Sequence, residues 1–330
     1  MRKRGMLAAK YYSNTDIRLE DIPKPKIMDG EILVKVAASG ICGTDVMEWY
    51  RIKKAPRVLG HEIAGTIVES RSKKYTAGER VFVSHHVACN TCKYCLAGDH
   101  TACETLHAGN YDPGGYSEFI RVPEINVDRG VYLLPEHLSF AEATMIEPLA
   151  CALRGQRVIG VKKGAIVMVL GCGVSGLLNI LVARLKGAKV IATDIDAYRL
   201  GKAKDCGADE VLRAEKAGDV KADKIIVCTA ALPAIDQAFR SVGRKGTILL
   251  FAIPDKNIEI PTLEMWRNEI TLTSSYGAAG NDLAEALELI SSGRLDMKPL
   301  ITHRLPLLKI QEGFRLVSEA KESLKVILEP

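Results

Sequence analysis

Four of the nine cysteines in this 330-residue chain, Cys89, Cys92, Cys95 and Cys103, fall within 15 residues of one another. Their spacings of two, two and seven intervening residues let one short loop wrap four thiolates tetrahedrally round a single ion at about 2.3 Å each. An all-cysteine shell leaves no open coordination position, so a structural zinc that pins the loop is expected. An iron–sulfur cluster also uses closely spaced cysteines, but the run lacks the ferredoxin spacing and its following proline. Cys42, in GICGTD at 40–45, and His61, in GHE at 60–62, are 19 positions apart; taken alone, such a pair is more often structural than ligating. The second chemical signal is GCGVSG at 171–176, in which Gly171, Gly173 and Gly176 complete GxGxxG with Val174 between them. The first glycine permits a tight turn and the second lets a pyrophosphate approach the backbone. The third lets a helix pack closely on a strand, and the helix N-terminus offers N–H donors.

That glycine pattern carries weight only in the right setting, and the flanking elements supply it. Residues 166–170 are an unbroken apolar run of β-formers, and Leu177, Leu178, Leu181, Val182 and Leu185 recur on one helical face. Gly187 is a helix stop, and 189–193 reads as a second strand ending at Asp194, 23 residues after Gly171. A carboxylate at about 20 residues accepts hydrogen bonds from the adenosine ribose and repels a 2′-phosphate, so NAD is expected over NADP. Strand-like runs at 209–212, 224–229, 246–252 and 270–275 alternate with helix-like stretches such as 233–242 and 283–291. The second half of the chain therefore reads as a doubly wound sheet of six parallel strands. The N-terminal stretch is β-rich instead, with strands at 5–11, 31–37 and 63–69.

Composition bounds the rest. At 47% hydrophobic and 26% charged the chain is ordinary globular protein, and its length suits about two domains. No apolar run approaches the roughly 20 residues that span a bilayer, and the MRKR start is followed by nothing resembling a signal-peptide core. A cytoplasmic protein with no membrane partner is expected, with thiols kept free by a reducing compartment. The net charge of +5 is mild and interspersed, and aromatic content is only 5%, so no nucleic-acid partner is expected.

The motifs GICGTD, GHE, CxxCxxC with a fourth cysteine, GGYSEF at 114–119, EPLACALRG at 147–155 and VLGCGVSG at 169–176 follow one another in this order. In that order the chain resembles the zinc-dependent medium-chain dehydrogenase family, particularly its sorbitol and threonine dehydrogenase branch, over essentially its whole length. The resemblance implies an α/β protein with a GroES-like β-barrel catalytic domain at 1–149, completed by 294–330, and a Rossmann NAD-binding domain at 150–293. It implies two zinc ions per subunit, NAD as cofactor, a small alcohol or polyol as substrate, and a homodimer or homotetramer. Cys42 and His61 would hold a catalytic zinc, with Glu62 or Glu147 in the remaining protein position. Such a metal lowers the pKa of a bound alcohol. Carboxylate ligands put less thiolate charge on zinc and leave it a stronger Lewis acid. Thr44 matches the hydroxyl that receives the substrate proton, Asp45 the carboxylate that orients the ligating histidine, and Arg199 the cation near the adenosine ribose. Many relatives carry a histidine relay two residues after the Asp45 position; here it is Met47, which cannot carry a proton, so water, Glu48 or another group must take over.

Other residues are expected to be bland. His85 and His86 could line the cleft but are read as sitting on the barrel, Cys151 and Cys172 as small buried residues, and Arg51, Lys53, Lys54 and Arg57 as a solvated basic face. The sharper reading of that basic run is a site for a phosphorylated or acidic polyol. An L-threonine 3-dehydrogenase is the alternative enzyme. The non-enzyme alternative is a zinc- and nucleotide-binding interaction protein, against which the retention of Cys42, Thr44, His61 and Glu147 argues.

Overall fold

The computed structural model describes residues 5–109, 111–218 and 220–330. The chain divides into two compact units, Met1–Ala150 with Gly277–Pro330, and Cys151–Tyr276.

The first unit is built on a seven-stranded sheet. Its path runs Ile301–Pro306, Lys325–Glu329, Ile32–Gly40, Glu62–Ser70, Arg80–Ser84 and Val131–Leu133, with Phe119–Val122 also paired to Ile32–Gly40. A smaller sheet of Asp16–Pro23, Gly5–Ser13 and Arg57–Val58 stands beside it. Val34, Val36, Ile63, Ile67, Val81 and Val83, on three adjacent strands, pack into one buried apolar cluster, as the alternation of half-buried antiparallel strands requires. Strand register gathers the candidate ligands. Gly40 pairs with Glu62, Glu62 with Ser84, and Ile327 with Gly40, so Cys42, His61, Glu62, His85 and Lys325 all lie at one end of the sheet.

The second unit is a six-stranded, wholly parallel sheet. In order across the sheet the strands are Glu210–Arg213, Lys189–Asp194, Ile166–Leu170, Ala222–Val227, Val242–Leu250 and Thr271–Ser274. Strand order reverses beside Ile166–Leu170, which is where a doubly wound sheet opens a crevice at its carboxyl edge. The six strands fall where the sequence places them, except that the fifth starts at Val242, ahead of 246. Ala222 pairs with Val242 and Lys224 with Thr247, so the residues between bulge out of the ladder.

One boundary needs correction. The chain returns to the first unit at Gly277, not at 294, because helix Asn281–Ser291 packs on helix Phe140–Ala143. His137 Nε2 lies 2.9 Å from the Ser291 carbonyl, and the Tyr132 hydroxyl donates to Gly280 O at 3.1 Å. The amphipathic pattern that reads as a last Rossmann helix is satisfied here by a helix of the first unit. Among the described residues no helix is long and apolar enough to cross a membrane.

Candidate active site

The donor atoms of Cys42, His61 and Glu62 lie within 4.8 Å of one another. Each comes from a strand end. Cys42 follows Ile32–Gly40, and its Sγ accepts from Thr44 N at 3.5 Å and from the Thr44 hydroxyl at 3.3 Å. His61 precedes Glu62–Ser70, and Glu62 is its first residue. Gly40 makes room: a Cβ there would meet Glu62 Oε2 at 2.1 Å. Glu62 is fully buried; Oε2 accepts from Lys325 Nζ at 2.6 Å, whereas Oε1 has no hydrogen-bond partner. A buried carboxylate oxygen without a partner is costly, and beside a thiol and an imidazole it is what a cation would complete. The trio fits a zinc with one thiolate, one imidazole and one carboxylate, leaving a fourth position open. Glu147, also buried, lies in the first turn of helix Ile146–Val158 and stands outside this compact trio, although its charge reaches His61.

Asp45 is completely buried behind His61, with Oδ1 at 3.6 Å from His61 Nδ1 and Oδ2 accepting from the Tyr116 hydroxyl at 2.6 Å. Nδ1 facing Asp45 leaves Nε2 as the ring nitrogen that could serve as a metal donor. Burial works to depress His61, but Asp45, Cys42 and Glu147 outweigh it and raise it to about 10. A metal bound through His61 would therefore displace a proton.

Several residues that the sequence left bland belong to this site. The His85 ring centroid lies 4.9 Å from that of His61 and 3.6 Å from that of His86, and His85 is buried, so it is not a barrel-surface residue. Burial and the charges of His86, His61 and Arg51 hold it well below the usual histidine range, and its Nδ1 is buried without a partner. Its signal in sequence was only its place after a strand that neighbours Glu62–Ser70. Arg51 is likewise not part of a solvated face: its side chain is 17% exposed and folds onto Thr44 and Asp45, while Lys53 and Lys54 remain exposed. Lys325 had no local signal at all. Trp49 and Tyr50 pack on each other, with ring centroids 5.9 Å apart.

The four-cysteine loop closes as its spacing requires. All four sulfurs lie within 4.8 Å of one another, with Cys92 Sγ to Cys95 Sγ at 3.6 Å and Cys89 Sγ to Cys95 Sγ at 3.9 Å. A tetrahedron of sulfurs about 2.3 Å from zinc has edges of about 3.8 Å, so the loop fits the ion. The Thr91 hydroxyl and amide and the Cys92 amide all donate to Cys89 Sγ and bring its thiol down to about 5, readying it as a thiolate ligand.

In the second unit the glycine turn has the geometry of a dinucleotide cradle. Gly171 has φ +91°, Gly173 caps helix Val174–Leu185, and a Cβ on Gly176 would meet Gly171 O at 1.9 Å. Asp194 ends its strand with Oδ2 accepting from Cys172 N at 2.6 Å and Oδ1 from Asp196 N at 2.9 Å. The Arg199 guanidinium lies 3.7 Å from where a Gly173 Cβ would be, and its Nε is buried without a partner. Cys172 is buried in the turn, and Cys151 is half-buried.

Residues 28–135 match the family model for the alcohol dehydrogenase GroES-like domain, and 175–292 that for a zinc-binding dehydrogenase. The chain is 32% identical to sorbitol dehydrogenase of Macaca fascicularis, over 95% of this chain and 92% of that one. It is also 32% identical to L-threonine 3-dehydrogenase of Bacillus licheniformis, over 94% of each. The structure of 2R,3R-butanediol dehydrogenase from Bacillus subtilis superposes with a TM-score of 0.86 at 27% identity, over 98% of this chain and 99% of that one. The chain belongs to the zinc-dependent medium-chain dehydrogenase family. It is an oxidoreductase that exchanges hydride between an alcohol and a nicotinamide cofactor, with zinc as its metal.

Proposed function

We propose that this enzyme interconverts a secondary hydroxyl of a polyol, cyclitol or related compound and the corresponding ketone, with NAD as its redox partner. The observation that carries the reading is the buried trio of Cys42, His61 and Glu62 with an unpartnered Glu62 oxygen, in a chain about equally similar to a polyol and an amino-alcohol dehydrogenase. Zinc, when bound, supplies Lewis acidity at the substrate oxygen, and the dinucleotide accepts the hydride.

The chain's own residues do the rest. Cys42 and His61 bind the metal with Glu62, and Glu147 is the alternative carboxylate. Asp45 orients His61 and is itself held by Tyr116. Thr44, whose hydroxyl reaches Cys42 Sγ at 3.3 Å, receives the substrate proton. Glu48 is tied to Asn14 N at 3.0 Å, so water, with Met47 in the relay position, takes the proton onward. Cys89, Cys92, Cys95 and Cys103 hold the second, structural zinc. In the second unit Gly171, Gly173, Val174 and Gly176 cradle the pyrophosphate, Asp194 accepts from the ribose, and Arg199 packs beside it. The adjacent carboxylate favours NAD over NADP.

The enzyme works in the cytoplasm as a homo-oligomer. Its nine free cysteines suit a reducing compartment. Strand Thr271–Ser274 is a sheet edge, and nearby Trp266 is 78% exposed, with Leu263 and Ile260 also exposed, so a second copy has an apolar face and an open ladder to cover.

The test is NAD reduction by zinc-loaded enzyme across a panel of polyols, simple secondary alcohols and L-threonine. Polyols should give the highest kcat/KM; preferential use of L-threonine would move the enzyme to that branch. No turnover with any of them would remove the catalytic claim. Cys42→Ala should abolish turnover and reduce zinc from two ions to one per chain, the survivor being held by the four-cysteine loop.

A further inference from the structure

The Arg51 guanidinium grips Thr44 twice. Its Nε donates to the Thr44 carbonyl and its Nη2 to Thr44 Oγ1, both at 3.0 Å, and Nη2 also lies 2.9 Å from Asp45 Oδ1. Arg51 sits one helical turn after Met47 and donates its backbone N–H to the Met47 carbonyl at 3.0 Å, so its side chain reaches back over the face that Met47 occupies. We propose that Arg51 is the positioning residue for the proton acceptor Thr44, holding its hydroxyl in one orientation where this chain has no histidine relay. The proposal rests on the assignment of Thr44 as that acceptor.

The hydroxyl has one hydrogen and two acceptor lone pairs. Arg51 fills one lone pair, and the hydrogen is directed at Cys42 Sγ, 3.3 Å away. The second lone pair is left to take the substrate proton; as it does so, the hydroxyl's own hydrogen turns from Cys42 Sγ and passes to water, so that Thr44 is neutral before and after the transfer. A guanidinium does not deprotonate in proteins, so Arg51 neither receives that proton nor releases one into the site. Its planar fork binds carbonyl and hydroxyl of the same residue together, which fixes the Thr44 backbone and its χ1 at once. A lysine at this position carries the same charge toward Asp45 but lacks the planar fork, so its rotatable ammonium does not hold both Thr44 oxygens in one fixed geometry.

Arg51→Met, Arg51→Lys and Thr44→Val are compared in the full-length protein. The first readout is the absorption of the cobalt(II)-loaded chain, restricted to the thiolate band that Cys42→Ser removes. Both Thr44 N and Oγ1 donate to Cys42 Sγ, so loosening Thr44 shifts this band. Arg51→Met and Arg51→Lys should shift it in the same direction as Thr44→Val, and Arg51→Met combined with Thr44→Val should shift it no further than Thr44→Val alone. The second readout is turnover: kcat should fall about tenfold to hundredfold, as for a misplaced reacting group, while KM changes less than about threefold. Added methylguanidinium should partly restore Arg51→Met.

A band unmoved in Arg51→Lys, with kcat at the starting value, overturns the proposal. So does a double variant whose shift is the sum of the two single shifts. Arg51→Lys keeps the charge beside buried Asp45, so it tests the proposal even if Arg51→Met does not fold. If the unsubstituted enzyme turns over nothing while the band still shifts as expected, the substrate reading fails and the positioning of Thr44 stands.

Discussion

Replacing Lys325 with Met should destabilise the first unit far more than loss of an ordinary surface lysine. The Lys325–Glu62 pair is 2.6 Å long, with side-chain exposures of 3% and 0%. Burial alone would lower Lys325, but the neighbouring Glu62 carboxylate, with Cys42 and Glu147, raises it. A raised lysine contributes stability that is complete below its unfolded pKa and is lost only as pH climbs through the folded one, so Lys325 carries its charge at neutral pH. Removing one partner leaves a buried carboxylate uncompensated, which costs about 3–5 kcal/mol. For a unit of about 200 residues each kcal/mol moves the midpoint by about 2–4 °C, so Lys325→Met should lower the transition of metal-free protein by about 6–20 °C. Combining it with Glu62→Gln removes the stranded charge, and most of the loss should return. Zinc offers Glu62 a second counter-charge, so the loss should be smaller in metal-loaded protein. Scanning calorimetry with and without metal reads all of this. A shift under about 2 °C without metal, or a double variant no better than the single one, would refute the reasoning.

The cofactor site gives two further tests. Asp194→Ala should lower kcat/KM for NAD about tenfold or more, the cost of a lost charged hydrogen bond, and raise the relative use of NADP; unchanged cofactor preference would remove Asp194 from the ribose. Gly176→Ala places a Cβ 1.9 Å from Gly171 O and should abolish NADH binding in a fluorescence titration while the four-cysteine zinc is retained; tight binding in the variant would show that the turn tolerates a side chain there. The metal site adds a pH effect. His61, held at about 10 without metal, is protonated at pH 8 and must lose that proton to bind zinc. Calorimetry in buffers of different ionisation enthalpy should therefore show proton release on zinc binding that His61→Ala lacks, with affinity weakening as pH falls; equal release from both would show that His61 is already neutral.

What could be read from the chain alone was local. The four-cysteine loop spans 15 residues, so its spacing nearly dictates its geometry, and the strand, glycine turn, helix and acid of 166–194 are one contiguous unit whose φ and packing demands name their own residues. Motif order along the chain carried the GroES-like and Rossmann architecture with it. The return point at Gly277 was not legible, because an amphipathic helix shows that it has an apolar face without showing which unit covers it.

The candidate trio of Cys42, His61 and Glu62 was visible as residue types, but its surroundings were not. Lys325 and Glu62 are 263 positions apart, and only the pairing of Lys325–Glu329 with Ile32–Gly40 brings the ammonium to the carboxylate. His85 reaches His61 because Arg80–Ser84 lies beside Glu62–Ser70, and Arg51 turns inward because buried Asp45 offers it a carboxylate. Sequence by itself determined which donors exist and which loops hold them. The tertiary structure decided which charges are buried together, because desolvation and counter-charge depend on neighbours that strand order, not chain order, supplies.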